Sequence, residues 1–248
     1  DYGGGATCPS LLLEPSRTNL VVQSEYFGSY SKVTSDATAA PVVTDNYATS
    51  PEGVKNASRV VLTKPSTDND YTIIRERKSV AKTSGDKMSQ SVYLKATDAS
   101  QVGKIVDVYA FDGSYLSVVN HTLTSEWKRV EAAHTASVGT SNIEMVIGKA
   151  RGYTGGATLA NMATDFLVYG HQFENNASYP TSYIPTYGTS QTRAGEICNS
   201  TEDATTINST EGVLYFEVSG FDNDGSDRYI SISDGTLNNA IRIFYYQD

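Results

Sequence analysis

The chain has 248 residues, a formal net charge of −9 and a sequence pI of about 4.8. This acidic balance argues against binding to nucleic acid or to anionic membranes, because the first depends on cationic contacts to phosphate and the second on cationic surface. No apolar run approaches the ~20 residues that span a bilayer, so membrane insertion is not expected. Hydrophobic residues make up 39% of the chain, which is enough for one large β domain or two smaller ones.

Residues 1–10 carry neither the basic nor the apolar segment of a signal peptide, and both ends of the chain are expected to be truncations. Helical periodicity is almost absent, and short alternating runs are separated by Gly, Ser, Thr, Asn and Asp. These runs predict an all-β fold, an antiparallel β-sandwich over residues 1–198. The predicted strands are 11–13, 58–62, 71–77, 88–95, 105–111, 115–123, 128–134, 142–148 and 164–173.

The alternation within 105–111 separates two faces of a strand. Asp107, Tyr109 and Phe111 share one face, while only small aliphatic residues occupy the other, which is predicted to be core. The first face predicts an open surface for a glycan, with an aromatic platform beside a hydrogen-bonding carboxylate.

The predicted strand 71–77 offers a second set of ligand candidates. Tyr71, Arg75 and Arg77 share a face, and the arginines could bind sugar hydroxyls or an acidic sugar. The alternative is an ordinary solvated face, in which the arginines pair with Glu76 or other neighbours.

The arm 179–187 is rich in tyrosine and proline and cannot be helical. It is predicted to pack along the domain and to bring the chain back beside 11–15. At that contact, Glu14, Arg17 and Arg193 are hypothesised to form a polar lock.

No catalytic residue is predicted. His121, His134 and His171 show no metal or zincin spacing, and the chain contains no nucleophile elbow and no phosphate-binding loop. Trp127, the only tryptophan, is predicted to be a core residue rather than a sugar platform.

Residues 199–211 are polar and predict a linker. Residues 212–248 then predict the start of a second, truncated β-sandwich, with strands 212–220, 228–232 and 240–246. Asp222, Asp224 and Asp227 resemble the start of a calcium loop, although an Asx-rich turn explains the same residues.

Five motifs together resemble a family of bacteriophage tail- and head-fibre proteins with a carbohydrate-binding-module-like jelly roll. They are LLLEPSRTNL at 11–20, SVYLKA at 91–96, LTSEWKRV at 123–130, FLVYGHQFE at 166–174 and YPTSYIPTYGTSQTRAGEIC at 179–198. In the fourth motif, His171 stands where the family more often has a small residue. GVLYFEVSG at 212–220 resembles the start of a concanavalin- or laminin-G-like domain.

The resemblance implies a non-enzymatic module of a virion appendage, for glycan attachment to a bacterial host or for structural decoration. Its partners would be a bacterial surface glycan or other virion proteins, and analogy with fibres favours a homotrimer. A structural Ca²⁺ is common in such jelly rolls. Two alternatives stay open: a carbohydrate-binding module of a secreted or cell-surface bacterial enzyme, and a glycan depolymerase.

The two cysteines, Cys8 and Cys198, are candidates for a disulfide across the first domain. Closing so long a loop would contribute roughly 5 kcal/mol in the chain-entropy model. The alternative is a pair of buried free thiols, which a fold assembled in a reducing cytosol would favour.

Overall fold

The computed structural model describes residues 13–139, 142–197, 228–233, 238 and 240–245. The chain divides into two compact units, Asp1–Cys198 and Asn199–Asp248. Within the described residues, no helix has the length and apolar character needed to cross a membrane. Several predictions lie outside the described residues: Cys8 and Cys198, the linker 199–211, the strand 212–220, and Asp222, Asp224 and Asp227.

The first unit contains two five-stranded sheets, whose strand orders are β2-β5-β10-β7-β8 and β3-β4-β11-β6-β9. Every strand pairing in both sheets is antiparallel. The strands are β2 Ser31–Thr34, β3 Val42–Ala48, β4 Ala57–Val61, β5 Thr72–Ser79, β6 Lys87–Ala96, β7 Ile105–Phe111, β8 Tyr115–Thr122, β9 Lys128–Thr135, β10 Asn142–Lys149 and β11 Asp165–Asn175. The predicted all-β, antiparallel β-sandwich is therefore confirmed.

The main core is filled by the inward residues of both sheets. Val106 and Val108 of β7 lie in it together with Ile143 and Ile147 of β10, and all four are buried. Each such side chain contributes about 1.5–3 kcal/mol when it leaves water. The predicted aliphatic core face of 105–111 is confirmed.

The sequence pattern did not predict two strands of the sandwich, and both of them lie at sheet edges. β2 and β3 are each the outermost strand of a sheet, and neither contains a fully buried residue. An edge strand exposes one margin to water and tolerates polar residues, so its alternation is weak. β3 also departs from regular register between Thr44 and Ala48, where Asn46 has a positive φ of 53°.

One core prediction is wrong. Trp127 is half-buried, lies just before β9 and is not part of the described core clusters. Its indole Nε1 donates to the carbonyl of Thr49 at 3.1 Å. An amphipathic ring with a single donor is well placed at such a boundary.

A second small sheet joins the two ends of the first unit. β1 (Arg17–Asn19) pairs antiparallel with β12 (Gln191–Arg193), which places Arg17 opposite Arg193. We call β1, β12 and the arm 179–187 between β11 and β12 the clasp. The predicted return of the arm to the N-terminal motif is thus confirmed. Of the predicted strand 11–13, Leu13 is not in a strand, and residues 11–12 lie outside the described residues.

The predicted polar lock is confirmed at one pair and corrected at the other. Arg193 Nη1 lies 2.8 Å from Glu14 Oε2. Arg17 instead faces Glu174 at the end of β11, with 3.6 Å between Nε and Oε2. The lock therefore has two ion pairs, Arg193 with Glu14 and Arg17 with Glu174.

In the second unit, the described residues form a hairpin of β13 (Arg228–Ser233) and β14 (Ala240–Tyr245). Both strands coincide closely with two of the three runs predicted there.

Candidate functional site

A cleft opens on the face of the first sheet that points away from the main core. Its volume is about 160 Å³. We call it the aromatic cleft; its lining residues are Tyr71, Ile73, Arg75, Tyr109, Phe111, Tyr115, Glu144, Val146 and Arg151. Four of the six residues proposed from sequence as glycan ligands are therefore brought together here: Tyr71, Arg75, Tyr109 and Phe111.

Strand register explains how residues distant in sequence meet in this cleft. Val146 of the central strand β10 lies between Arg75 of β5 and Tyr109 of β7. In the next row, two residues along β10, Glu144 lies between Arg77 and Phe111. Directly opposed residues in antiparallel strands point to the same face, so both rows present side chains to the cleft.

The floor and one wall of the cleft are aromatic. Tyr109 is 2% exposed and packs with Ile73 and Val146 in a small second core. The ring centroid of Tyr115 lies 5.6 Å from that of Tyr109 and 5.0 Å from that of Phe111, within the range of favourable aromatic pairs. Burial raises the pKa of Tyr109 well above its ordinary value, so its phenol stays protonated.

Charged groups form the rest of the wall. Arg75 Nη1 donates to Glu144 Oε2 at 2.5 Å, and Arg77 Nε donates to Glu144 Oε1 at 3.0 Å. Arg77 adds a second bond to the same oxygen through Nη2. The guanidinium of Arg151 lies over the ring of Tyr71, with 5.0 Å from Cζ to the ring centroid.

Asp107 is on the same side of β7 but does not reach the cleft surface. Its carboxylate is fully buried and accepts the backbone N–H groups of Ala150 and Ala157 and the amide of Asn120. Burial raises the pKa of Asp107, against the opposing effect of these hydrogen bonds. This corrects the expectation that Asp107 offers a free carboxylate beside the aromatic platform: it holds the segment 150–157 in place instead.

A buried ammonium group fixes the neighbouring loop. Lys149 is 0% exposed, and its Nζ donates to the carbonyls of Asp68, Asp70 and Ala150 at 2.8, 3.0 and 3.0 Å. Burial lowers its pKa, while the nearby carboxylates oppose this. The bonds link the loop before β5 to the residue preceding Arg151. The Lys149 side chain therefore holds the rim of the cleft in place.

Carbonyl oxygens are ligands that Ca²⁺ accepts, but these three carbonyls already accept hydrogen bonds from the Lys149 ammonium group. Among the described residues, no group of three or more His, Cys, Asp or Glu side chains is placed to hold a metal ion. A structural Ca²⁺ therefore stays a prediction of the sequence.

Three charged or aromatic lining residues were missed by sequence reasoning, Tyr115, Glu144 and Arg151, in addition to the aliphatic Ile73 and Val146. Asp112 and Gly113 between the two predicted strands are typical of a hairpin turn, and extending its register would have placed Tyr115 opposite Phe111, as observed. The position of Glu144 depends on which strands flank β10, which no local pattern shows. Arg151 follows β10 in a loop and carries no pattern signal.

A larger groove of about 500 Å³ lies beside the clasp. Residues of β1, of the segment after β5 and of the end of β11 line it, and no aromatic ring is among them. Its arginine, Arg17, faces Glu174. Despite its size, this groove lacks the aromatic surface of the aromatic cleft.

The three histidines do not converge on a site. His171 is buried, with Nδ1 2.9 Å from the Tyr30 hydroxyl and Nε2 3.3 Å from Gln90 Oε1. Burial lowers its pKa to about 3. His134 is also buried, with a pKa of about 4, and His121 is half-buried on β8.

These features define an antiparallel β-sandwich with a solvent-facing aromatic cleft. No protein-family model matches the chain, and no curated protein matches its sequence. Among solved structures it is similar to the enzymatically active domain of tailspike protein 4 of bacteriophage CBA120, with a TM-score of 0.43 and 8% identity over 63% of this chain and 21% of that chain. The chain thus spans about a fifth of that tailspike domain.

Two carbohydrate-binding modules are also similar. One is TmCBM61 in complex with β-1,4-galactotriose, with a TM-score of 0.39 and 14% identity over 62% of this chain and 97% of that chain. The other is the CBM22-1 xylan-binding domain of Paenibacillus barcinonensis Xyn10C, with a TM-score of 0.36 and 10% identity over 68% and 97%.

Proposed function

We propose that this chain is a non-enzymatic glycan-binding module of a phage virion appendage, which attaches to a surface glycan of a bacterial host. The observation that carries the binding activity is the aromatic cleft. Its rings offer apolar faces to a sugar ring, and its guanidinium, carboxylate and phenol groups offer hydrogen bonds around them. A cavity of about 160 Å³ suits one or two sugar units rather than a long chain segment.

Binding is favoured over hydrolysis because of the charges in the cleft. Glycosidases use two carboxyl groups, roughly 5–10 Å apart, across the scissile bond. Among the described residues that line the cleft, Glu144 is the one carboxylate, and two arginines hold it. Both of its oxygens already accept N–H groups of arginines.

The virion assignment is supported by the resemblance of the opening and closing motifs to phage fibre proteins. A carbohydrate-binding module of a secreted bacterial enzyme would use the same cleft, and the two assignments differ in what surrounds the module. Mass spectrometry of purified virions from a phage that encodes the chain distinguishes them, and cross-linking of the same particles tests the homotrimer.

A glycan array tests the binding activity. We expect saturable binding of the purified chain to a defined glycan, measured with and without Ca²⁺. Tyr115→Ala should weaken that binding about tenfold or more, because it removes the ring that contacts both Tyr109 and Phe111. Tyr47→Ala, an exposed tyrosine on the edge strand of the other sheet, is the matched control and should bind like the original.

Absence of binding to every glycan, with and without Ca²⁺, would overturn the glycan-binding proposal. The tyrosines of the cleft would then serve packing, and the chain would be a structural decoration of the virion.

A further inference from the structure

The balance of hydrogen-bond donors and acceptors in the aromatic cleft is uneven. Arg75 and Arg151 line the cleft, Arg77 lies beside it, and Glu144 is the one carboxylate among the described residues that line it. Guanidinium groups donate and cannot accept. Both oxygens of Glu144 already receive arginine N–H groups, so the cleft keeps donors in excess.

Arg75 has the best-placed spare donors. Its Nη1 is used by Glu144, while Nε and Nη2 have no hydrogen-bond partner among the described residues. Its side chain is 26% exposed and lines the cleft, so part of the side chain is accessible to a ligand there. Two parallel N–H groups on one edge match the two oxygens of a carboxylate.

The other end of the cleft is also cationic. Arg151 lies over Tyr71, the residue just before β5 and four residues before Arg75, which is about 13 Å of extended chain. The pKa of Asp70 is lowered mainly by its hydrogen bonds from Thr67 and Ser35, and Arg151 adds a smaller contribution. Asp70 is held mainly by Thr67 and Ser35, outside the lining of the cleft.

This local excess of positive charge contrasts with the net charge of the whole chain, which is −9. A neutral sugar presents hydroxyls that both donate and accept, and it would leave part of the donor set unmatched. A group that only accepts hydrogen bonds, such as a carboxylate, matches this set of donors. From these observations we infer that the aromatic cleft selects an acidic sugar, whose carboxylate is bound bidentately by the Nε–Nη2 edge of Arg75 while its ring packs on the tyrosines.

This inference rests on the proposed glycan-binding function and narrows it to one ligand class. It assigns Arg75 as the specificity-determining residue, Arg151 as a second cationic contact at the far end, and Glu144 as the group that orients Arg75.

The test compares acidic glycans with their own neutral derivatives. Oligogalacturonate, hyaluronan oligosaccharides and oligosialic acid are each tested beside the carboxyl-reduced form, and dextran sulfate represents a sulfate source of negative charge. We expect the protein to bind at least one carboxylated glycan, and reduction of its carboxyl groups to weaken binding about tenfold or more. Binding should also weaken as NaCl rises.

Two variants assign the effect to Arg75. Arg75→Gln should weaken binding of the acidic glycan about tenfold and change binding of its reduced form little. Arg75→Lys keeps the charge without the planar fork and should recover only part of the affinity. Lys128→Gln changes the net charge equally at an exposed position on β9 and serves as the control; thermal melts show whether each variant is folded.

The outcomes separate the two proposals. Equal binding of acidic and reduced forms would overturn the acidic-sugar inference and leave glycan binding standing. Binding to dextran sulfate alone would overturn the carboxylate assignment. Binding to none of these probes and to no glycan on the array would overturn both.

Discussion

The clasp and the aromatic cleft use similar side chains in opposite ways. In the clasp, Asn19 is completely buried and bonded within the chain, as are Gln172 and Glu174 of β11, which contact the arm. At the cleft, Arg75, which lines it, and Arg77 beside it have side chains 26% and 58% exposed. Buried polar groups that satisfy one another fix a fold, whereas exposed donors without acceptors are suited to a ligand. The sequence motifs that stand out most in this chain belong to the clasp.

Asn19 illustrates this best. Its Nδ2 donates to the carbonyls of His171 and Ile184, and its Oδ1 accepts the N–H groups of Val21 and Phe173. All four hydrogen-bonding positions of the side-chain amide are filled, and the bonds join the N-terminal motif, β11 and the arm. The same residue ends β1.

The largest predicted effect is therefore at Asn19. Asn19→Ala should lower the free energy of unfolding by more than about 3 kcal/mol, because it leaves four buried backbone groups without partners. Urea denaturation measures the loss, and Asn69→Ala, at an exposed loop position, should leave it unchanged. Asn19→Ala protein that remains folded should bind glycan normally; a loss of affinity would mean that clasp and cleft are coupled.

The next effect is expected at Lys149, which connects the core to the rim of the cleft. Lys149→Met should lower the free energy of unfolding by about 2 kcal/mol, because three carbonyls, that of buried Ala150 among them, lose a charged donor. Unlike the clasp variant, it should also weaken glycan binding, since the ammonium holds Ala150, the residue before Arg151. Calorimetry of stability and of binding on the same sample checks both parts, with Lys128→Met as control. Unchanged affinity would show that the cleft is rigid without the three hydrogen bonds of the Lys149 ammonium group.

Acid should weaken the region around the clasp through His171. Its pKa of about 3 lies below the value of about 6.5 expected in the unfolded chain, so the unfolded state binds more protons as pH falls below 6.5. Stability is then fully present above pH 6.5 and declines towards pH 3. The expected loss is about 2 kcal/mol between pH 7 and pH 5.

Urea midpoints at several pH values measure this dependence. His171→Gln should be less stable at pH 7 but should show a flatter pH profile, because the titrating group is gone. His121→Gln, at a half-buried position, should keep most of the original slope. An unchanged slope in His171→Gln would assign the acid sensitivity to other groups, with His134 the first to test.

A smaller effect is expected at the lock. Arg17→Ala should lower the free energy of unfolding by about 1 kcal/mol, because Glu174 loses its ion pair while it keeps its bonds to Thr181. Burial already raises the pKa of Glu174, so the carboxyl can take up a proton and limit the loss. A melting temperature equal to that of the original would show that the lock does not contribute to stability.

The sequence predicts the sandwich well and the site in part, for one physical reason. β7 was predicted with its observed bounds because Val106, Val108 and Ala110 alternate with polar and aromatic residues, and burial on one face forces that alternation. The same alternation pointed to Tyr109 and Phe111. It could not distinguish Asp107, which is buried, from them, because burial on the outer face depends on the segment 150–157 that covers it. Glu144 and Arg151 depend on strand order, which is a property of the whole sheet.

The smallest expected change in stability, at Arg77, tests the comparison most sharply. Its guanidinium is more than half exposed, so Arg77→Gln should alter the free energy of unfolding by less than about 0.5 kcal/mol. It nevertheless frees Glu144 Oε1 and shifts the local charge towards negative, so an acidic glycan should bind about two- to threefold more weakly, whereas its carboxyl-reduced form should not. Isothermal titration with both forms measures the ratio. A folded, equally stable variant with an altered preference for charged glycans would show that the cleft, unlike the clasp, determines ligand selectivity without contributing to the stability of the fold. If Arg77→Gln and the original protein bind both forms identically, the charge selectivity would be restricted to Arg75 and Arg151.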